Sequence, residues 1–273
     1  MGRTWTRHDP LAVDEEHEER PHFQDNRKTL RVVTYNMRQG GSQANWSELL
    51  AATTPDLLLI QETKDPAALL EDVDHGLDLD HLLWVPVEAR RWGSAMWWRG
   101  QAIRPISLPS FEGWVVGGET RLESESIFVF SVHMPPERGS YLHSANRMLD
   151  ELKPIVQGGQ LLLGGDWNVA TARRDPDEER RNRPGELALF DRLESEFGLV
   201  SAWRVAHPTG PLPQTLRWMK EPTTPYHCDG LFMPSGWATS NVSAHVLEGL
   251  PWTGLSDHNP VVVGFDNPHR SSP

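Results

Sequence analysis

The chain of 273 residues has a single cysteine, Cys228. An internal disulfide is therefore excluded, and so is a zinc site built from several thiolates. Long apolar runs are missing too: nothing approaches the roughly 18 uninterrupted apolar residues of a membrane helix, and the N-terminus lacks the short apolar core of a secretory signal. A cytoplasmic protein without membrane insertion is the expectation. Basic residues are in short supply, 26 against 38 acidic ones, for a formal net charge of −12. Spread evenly, that charge would repel nucleic acid, whose affinity for proteins rests largely on Lys and Arg neutralising phosphates. Tight nonspecific DNA binding is disfavoured, whereas a phosphate substrate is not, because the charge of carboxylates that gather a divalent cation is cancelled locally. Internal repeats and low-complexity linkers are absent as well, which leaves one globular unit as the simplest organisation.

What is present suffices for a large core: 38% hydrophobic residues and twelve tryptophans, so stability is expected from packing. Residues 1–28, with Asp14, Glu15, Glu16, Glu18 and Glu19, are polar and aperiodic, and read as a mobile tail. The stretch 267–273 resembles it, so the domain is expected over 29–266. Strands are predicted at 30–36, 56–61, 94–99, 114–122, 126–133, 160–165, 228–233 and 260–265. Ser140 is a plausible N-cap for a helix with Leu142, Leu149, Leu152 and Val156 on one face, and 44–52 and 186–197 are further helices. This mixture fits either sheet packed on sheet with helices outside or a doubly wound sheet.

Four apolar runs end alike. Val32-Val33-Thr34-Tyr35 leads to Asn36, Leu57-Leu58-Leu59-Ile60 to Gln61-Glu62, Phe128-Val129-Phe130-Ser131-Val132 to His133, and Leu161-Leu162-Leu163-Gly164-Gly165 to Asp166, with Asn168 just beyond. Strand ends along one edge of a layered fold commonly build a site. Singly, each of these polar residues is more often a turn former. Two further segments, His227-Cys228-Asp229-Gly230 and Ser256-Asp257-His258-Asn259-Pro260, place carboxylates beside imidazoles at the mouths of strands. Carboxylates suit Mg²⁺, and an imidazole supported by a carboxylate can orient or protonate phosphate oxygens.

In series, Tyr35-Asn36, Gln61-Glu62-Thr63-Lys64, His133, Gly165-Asp166-Trp167-Asn168, Cys228-Asp229 and Ser256-Asp257-His258 resemble the motifs of the endonuclease/exonuclease/phosphatase superfamily, in that family's order. The resemblance implies an α/β fold of four layers, α/β/β/α, with two mixed sheets face to face and the site at one edge. It implies Glu62 as principal Mg²⁺ ligand, with Asn36 and Asp257 as direct or water-mediated ligands and Mn²⁺ as a substitute cation. Asp166 would activate the attacking water, Asn168 would hold it, His258 supported by Asp229 would face the phosphate, and His133 would stabilise developing charge. His133 stands where abasic-site endonucleases of the family carry tyrosine and where the DNase I, sphingomyelinase and phosphatase branches carry histidine. The Trp and Arg that flank Cys-Asp in inositol-polyphosphate phosphatases are absent. A nuclease-like Mg²⁺ phosphodiesterase follows, its partner a phosphoester drawn from DNA, RNA or smaller nucleotides, with a phosphatase or lipid phosphodiesterase as alternatives. A non-catalytic module would lack a site residue, and none is lacking. Arg173, Arg174 and Arg181 are candidate substrate contacts, although Asp175, Asp177, Glu178 and Glu179 could neutralise the same loop. Trp167, Trp218 and Trp252 lie close in sequence to site residues and could stack on a base or aryl group, but ordinary core packing is the role expected of each.

Overall fold

The apolar runs do not alternate in polarity, and the reason is burial on both faces of each strand. In the computed structural model, which describes residues 29–71, 75–99, 102–122, 125–221, 223–238 and 241–266, the chain begins with β1 (Thr29–Gly40), α1 (Gln43–Thr53), β2 (Leu57–Thr63), α2 (Pro66–Leu70), β3 (Leu82–Pro86) and β4 (Gly93–Trp98). It continues through β5 (Arg104–Pro105), β6 (Val115–Leu122), β7 (Glu125–His133), α3 (Tyr141–Leu152), β8 (Gln160–Asp166), α4 (Pro184–Phe197), β9 (Leu199–Ser201) and α5 (Ala202–Ala206). β10 (Asp229–Pro234), β11 (Ser243–Val246), α6 (Trp252–Leu255) and β12 (Val261–Asp266) complete it. The tails expected at 1–28 and 267–273 lie outside the described residues.

Two six-stranded sheets result, one in the order β11-β12-β1-β2-β4-β3 and the other β5-β6-β7-β8-β10-β9. Each has a parallel pair at its centre, β1 with β2 and β7 with β8, flanked by antiparallel neighbours. Val32, Leu57, Leu59 and Met96 from the first sheet meet Ile127, Val129, Leu162, Leu231 and Met233 from the second in a shared core. The alternate residues face outward. Val33, Tyr35, Leu58 and Ile60 pack with Trp46 and Leu49 of α1, and Phe130, Val132, Leu161 and Leu163 pack with Met148, Leu149 and Leu152 of α3 and Leu189 and Leu193 of α4. The arrangement is therefore sheet on sheet with helices outside, not a doubly wound sheet.

Local chemistry sets the helix ends. Ser140 caps α3 by accepting from the His143 N–H at 3.3 Å, and α4 starts on Pro184 and stops at Gly198, whose φ of 64° is left-handed. α3 closes at Leu152, short of Val156, which is buried in the following turn. One polar bridge crosses the apolar seam between the sheets. Gln61 donates to the Ser131 hydroxyl at 2.9 Å, and Ser131 donates to the Ile60 carbonyl at 3.0 Å.

Candidate active site

Topology delivers the site residues to one rim. The parallel pairs present their C-terminal ends there, and the antiparallel β10 and β12 present their N-terminal ends beside them. His133, Asp166 and Asp229 are register neighbours across β7, β8 and β10, while Asn36 lies beside Gln61 across β1 and β2. The register between β2 and β4 shifts after Ile60, and Glu62 takes a left-handed φ of 51°. Such an irregularity re-aims a side chain at the end of a strand, and here Glu62 reaches Asn36 and the backbone of Gln39. Gly165 is obligatory, since its φ is 151° and a Cβ there would stand 1.8 Å from the Val132 carbonyl oxygen.

Asn36 joins the two sheets at this rim. Its Nδ2 donates to Glu62 Oε1 at 3.1 Å and to Asp166 Oδ2 at 3.0 Å, and its Oδ1 accepts from the Arg38 N–H at 2.9 Å. Glu62 Oε2 accepts from the Gln39 N–H at 2.5 Å. Asp166 also accepts from the N–H and the side-chain amide of Asn168, at 3.0 and 3.2 Å. Asn168 can do both because it adopts a left-handed φ of 53°, a conformation Asn tolerates. Burial pushes the Asp166 carboxyl above its ordinary range; Asp229 reinforces the shift and His258 opposes it.

The two imidazoles are about equally buried and diverge in charge. Burial drives His133 down to about 4, against the pull of Asp166, so it is neutral. It is packed against the rings of Trp114 and Trp92 at 4.9 and 5.7 Å, and its Nε2 stands 3.5 Å from Glu62 and 3.8 Å from Asp166. Burial presses on His258 as well, but Asp229 and Asp166 together override it and raise the group to about 10. Its Nδ1–H donates to Asp229, whose oxygens lie at 3.0 and 2.9 Å, and its Nε2 lies 3.8 Å from Asp166 Oδ2.

Asp257 and His258 sit on a turn that is tied down from two sides. The Ser256 hydroxyl donates to the Asn36 carbonyl at 2.8 Å and accepts from the His258 N–H at 3.1 Å. Arg217 donates its backbone N–H to the Asp257 carbonyl at 2.8 Å, and its guanidinium donates to the Ser256 and His258 carbonyls at 2.6 and 3.4 Å and to the Asn259 side chain. Arg38 lies 3.5 Å from the Asp257 carboxylate. Neither Arg217 nor Arg38 belongs to a motif, so sequence reasoning had no signal for them.

Donor chemistry separates two groups of residues. Glu62, Asn36 and Asp257 offer carboxylate and amide oxygens, the set a hard cation such as Mg²⁺ takes. Asp166, Cys228, Asp229 and His258 each place one potential ligand atom within 4.8 Å of the others, a set that mixes sulfur and nitrogen with oxygen. Burial, with Asp229 and Asp166 nearby, holds the Cys228 thiol well above its ordinary range, and it donates to Asp229 at 3.5 Å. In this quartet the protonated thiol and the imidazole both donate to Asp229, and Asp166 stands 3.8 Å from the other imidazole nitrogen, whereas the oxygen donors of Glu62, Asn36 and Asp257 have the chemistry that suits a hard cation.

The arginine loop divides. Arg173 pairs with Asp191 at 2.5 Å and lies over the Phe190 ring, and the Arg181 guanidinium donates to the Asp175 carbonyl at 3.1 Å. Neither lines the cavity of about 400 Å³ that opens beside Asn168 and Cys228; Arg174, Arg180 and Arg183 do. Arg174 is already held by Glu178 at 2.9 Å and donates to the Pro225 carbonyl at 3.2 Å. Of the three tryptophans considered for stacking, Trp167 and Trp252 are buried and pack on Phe232 and Tyr35, while Trp218 is exposed on the cavity wall.

No curated protein matches the chain in sequence. Among solved structures, an AP endonuclease from Leishmania major is similar with a TM-score of 0.63 at 19% identity, covering 88% of this chain and 88% of that one. An AP endonuclease from Archaeoglobus fulgidus gives 0.62 at 19% identity, covering 87% of this chain and 99% of that one. A 3′ phosphatase from Neisseria bound to a product DNA hairpin gives 0.61 at 18% identity, again over 87% and 99%. These likenesses are of fold. The sequence pattern of the Endonuclease/Exonuclease/phosphatase family matches residues 33–258, a span that holds every member of the cluster at the rim, and the chain belongs to that family of phosphoester hydrolases.

Proposed function

We propose that the chain is a Mg²⁺-dependent, nuclease-like phosphodiesterase that acts by in-line attack of water on phosphorus, with Mn²⁺ as a substitute cation. The observation that carries this reading is the Asn36 amide, which donates to both Glu62 and Asp166 and so couples the oxygen-donor set to the acid–imidazole cluster. Glu62, Asn36 and Asp257 would hold the cation, which when bound offsets the negative charge of the phosphoryl oxygens. Asp166, with its carboxyl raised by burial, accepts the proton of the attacking water, and Asn168 holds that water in place. His258 is already protonated through Asp229, so it faces the phosphate as a cation and not as the base. Neutral His133 donates from Nε2 to a phosphoryl or leaving oxygen. Fixed donors and charges of this kind supply the electrostatic stabilisation that phosphoryl transfer needs most.

The substrate would be DNA, RNA or a smaller nucleotide ester. The solved relatives include AP endonucleases and a 3′ phosphatase, which supports both nuclease and phosphatase chemistry on this fold. Among the described residues no helix is long and apolar enough to cross a membrane, and we place the protein in the cytoplasm. Hydrolysis of bis-p-nitrophenyl phosphate, with and without Mg²⁺, tests the reading. Wild type should require the metal, and an Asp166→Asn, His258→Ala double variant should be inert; retained turnover in the folded double variant overturns it. A preference for monoesters over diesters would shift the assignment to a phosphatase.

A further inference from the structure

The cavity beside Asn168 holds groups that the reaction itself does not use. Its wall includes the rings of Tyr141, Trp218 and Tyr226, a high aromatic density for a chain with only three tyrosines. The guanidinium of Arg180 is stationed over the face of Tyr226, 4.4 Å from its centroid. The Nη1 of that guanidinium is buried without any hydrogen-bond partner, and so is the Nε2 of His227, another wall residue. His227 Nδ1 lies 3.1 Å from the Pro213 carbonyl, which can only accept, so the proton resides on Nδ1 and Nε2 is a bare acceptor. Burial keeps the ring neutral, with its titration driven down to about 3.

Buried polar atoms left unpaired are costly and call for a ligand or ordered water to complete them. The complement of this wall is a flat ring for the aromatic side chains and an anion for Arg180. A nucleotide offers both. The size agrees, since about 400 Å³ falls within the range of pockets that enclose one small ligand. The net charge of −12 argues in the same direction, because a long polyanion needs a broad basic surface and a single nucleotide needs one or two cations.

We infer that this cavity is a binding subsite for one nucleotide unit next to the scissile phosphate, with the base on the Tyr141–Trp218–Tyr226 wall and a second, non-scissile phosphate on Arg180. The inference rests on the phosphodiesterase reading and narrows its substrate to small nucleotide diesters or strand ends that present such a unit. Base stacking on aromatic side chains is favourable whichever base is presented, and the guanidinium fork suits a phosphate.

Calorimetric titration of the full chain with AMP, adenosine and inorganic phosphate tests it without any turnover. AMP should bind at least tenfold more tightly than adenosine or phosphate. Arg180→Gln should weaken AMP about tenfold and leave adenosine unchanged, while Trp218→Ala, at a side chain that is already exposed, should weaken AMP and adenosine alike. The Asp166→Asn variant should retain AMP binding, which separates the subsite from the reacting centre. AMP binding no tighter than phosphate, or unaffected by both Arg180→Gln and Trp218→Ala, overturns the inference. Wild-type hydrolysis of methyl p-nitrophenyl phosphate measures the proposed chemistry independently: turnover without AMP binding removes the subsite alone, and AMP binding without turnover removes the phosphodiesterase reading alone.

Discussion

Asp229 receives the Nδ1–H of His258 between its two oxygens, at 3.0 and 2.9 Å, and this pairing is what separates His258 from the equally buried His133. Removing the carboxylate charge leaves burial opposed only by the acidic neighbours that remain. Asp229→Asn should therefore lower the His258 titration from about 10, and should cut turnover of bis-p-nitrophenyl phosphate by about 10²- to 10⁴-fold, the usual range for a positioned proton-carrying group. NMR titration of the His258 ring and steady-state kinetics check the two parts. An unshifted ring with full activity would leave the pair without a catalytic role.

Glu62→Gln keeps shape and removes charge from the oxygen-donor set. The Mg²⁺ concentration for half-maximal activity should rise about ten- to a hundredfold, a range drawn from the loss of groups that support a bound metal. Thermal unfolding without metal should change little or improve, because the carboxylate charge near Asp166 is gone. An unchanged Mg²⁺ dependence would remove Glu62 from the ligand set.

Arg217 touches none of the reacting groups, yet it ties three consecutive residues of the turn that carries Asp257 and His258. Arg217→Gln should lower kcat roughly tenfold with KM held within about twofold, the signature of an interaction that matters in the transition state. Arg217→Lys should recover part of the loss, since an ammonium still reaches carbonyl oxygens. Equal, small effects of both substitutions would make the residue purely structural.

His227 makes stability depend on pH in a definite sense. Its folded value, about 3, lies below its ordinary value of 6.5, so the unfolded chain binds the extra proton as the medium is acidified. The contribution is complete above about pH 6.5 and is lost progressively as pH falls toward 3. Between about pH 6 and pH 4, wild type should lose about 1.4 kcal/mol per pH unit more than His227→Gln. Urea unfolding of both proteins across that window measures the difference, and parallel stability curves would contradict the buried neutral ring.

The sequence disclosed the interior strands because a strand covered on both faces must be apolar throughout. It did not disclose β3, β5, β9 or β11, which are the four outermost strands of the two sheets. They are short, 5, 2, 3 and 4 residues, and only partly covered, so their composition lacks that pressure. The same contrast holds at the rim. Asn36, Glu62, His133, Asp166, Asp229 and His258 were legible because each punctuates an apolar run or opens one. Arg217 and Arg180 were less legible, since a long side chain acts far from its own backbone position and leaves no local period. Loop arginines read alike in sequence, and only their acidic neighbours in space divide Arg173, facing Asp191, from Arg180 at the cavity.

β1 pairs along six positions with β12, from Thr29 opposite Asp266 to Thr34 opposite Val261. Among the described strands the first made is thus completed by the last. A chain emerging from the ribosome carries an open edge on β1, with Val32 and Val33 in it, throughout the synthesis of the second sheet, an invitation to chaperones or to mispairing with other nascent chains. Asp257 and His258 arrive just ahead of that closing strand, so a translation product that stops before them lacks both groups.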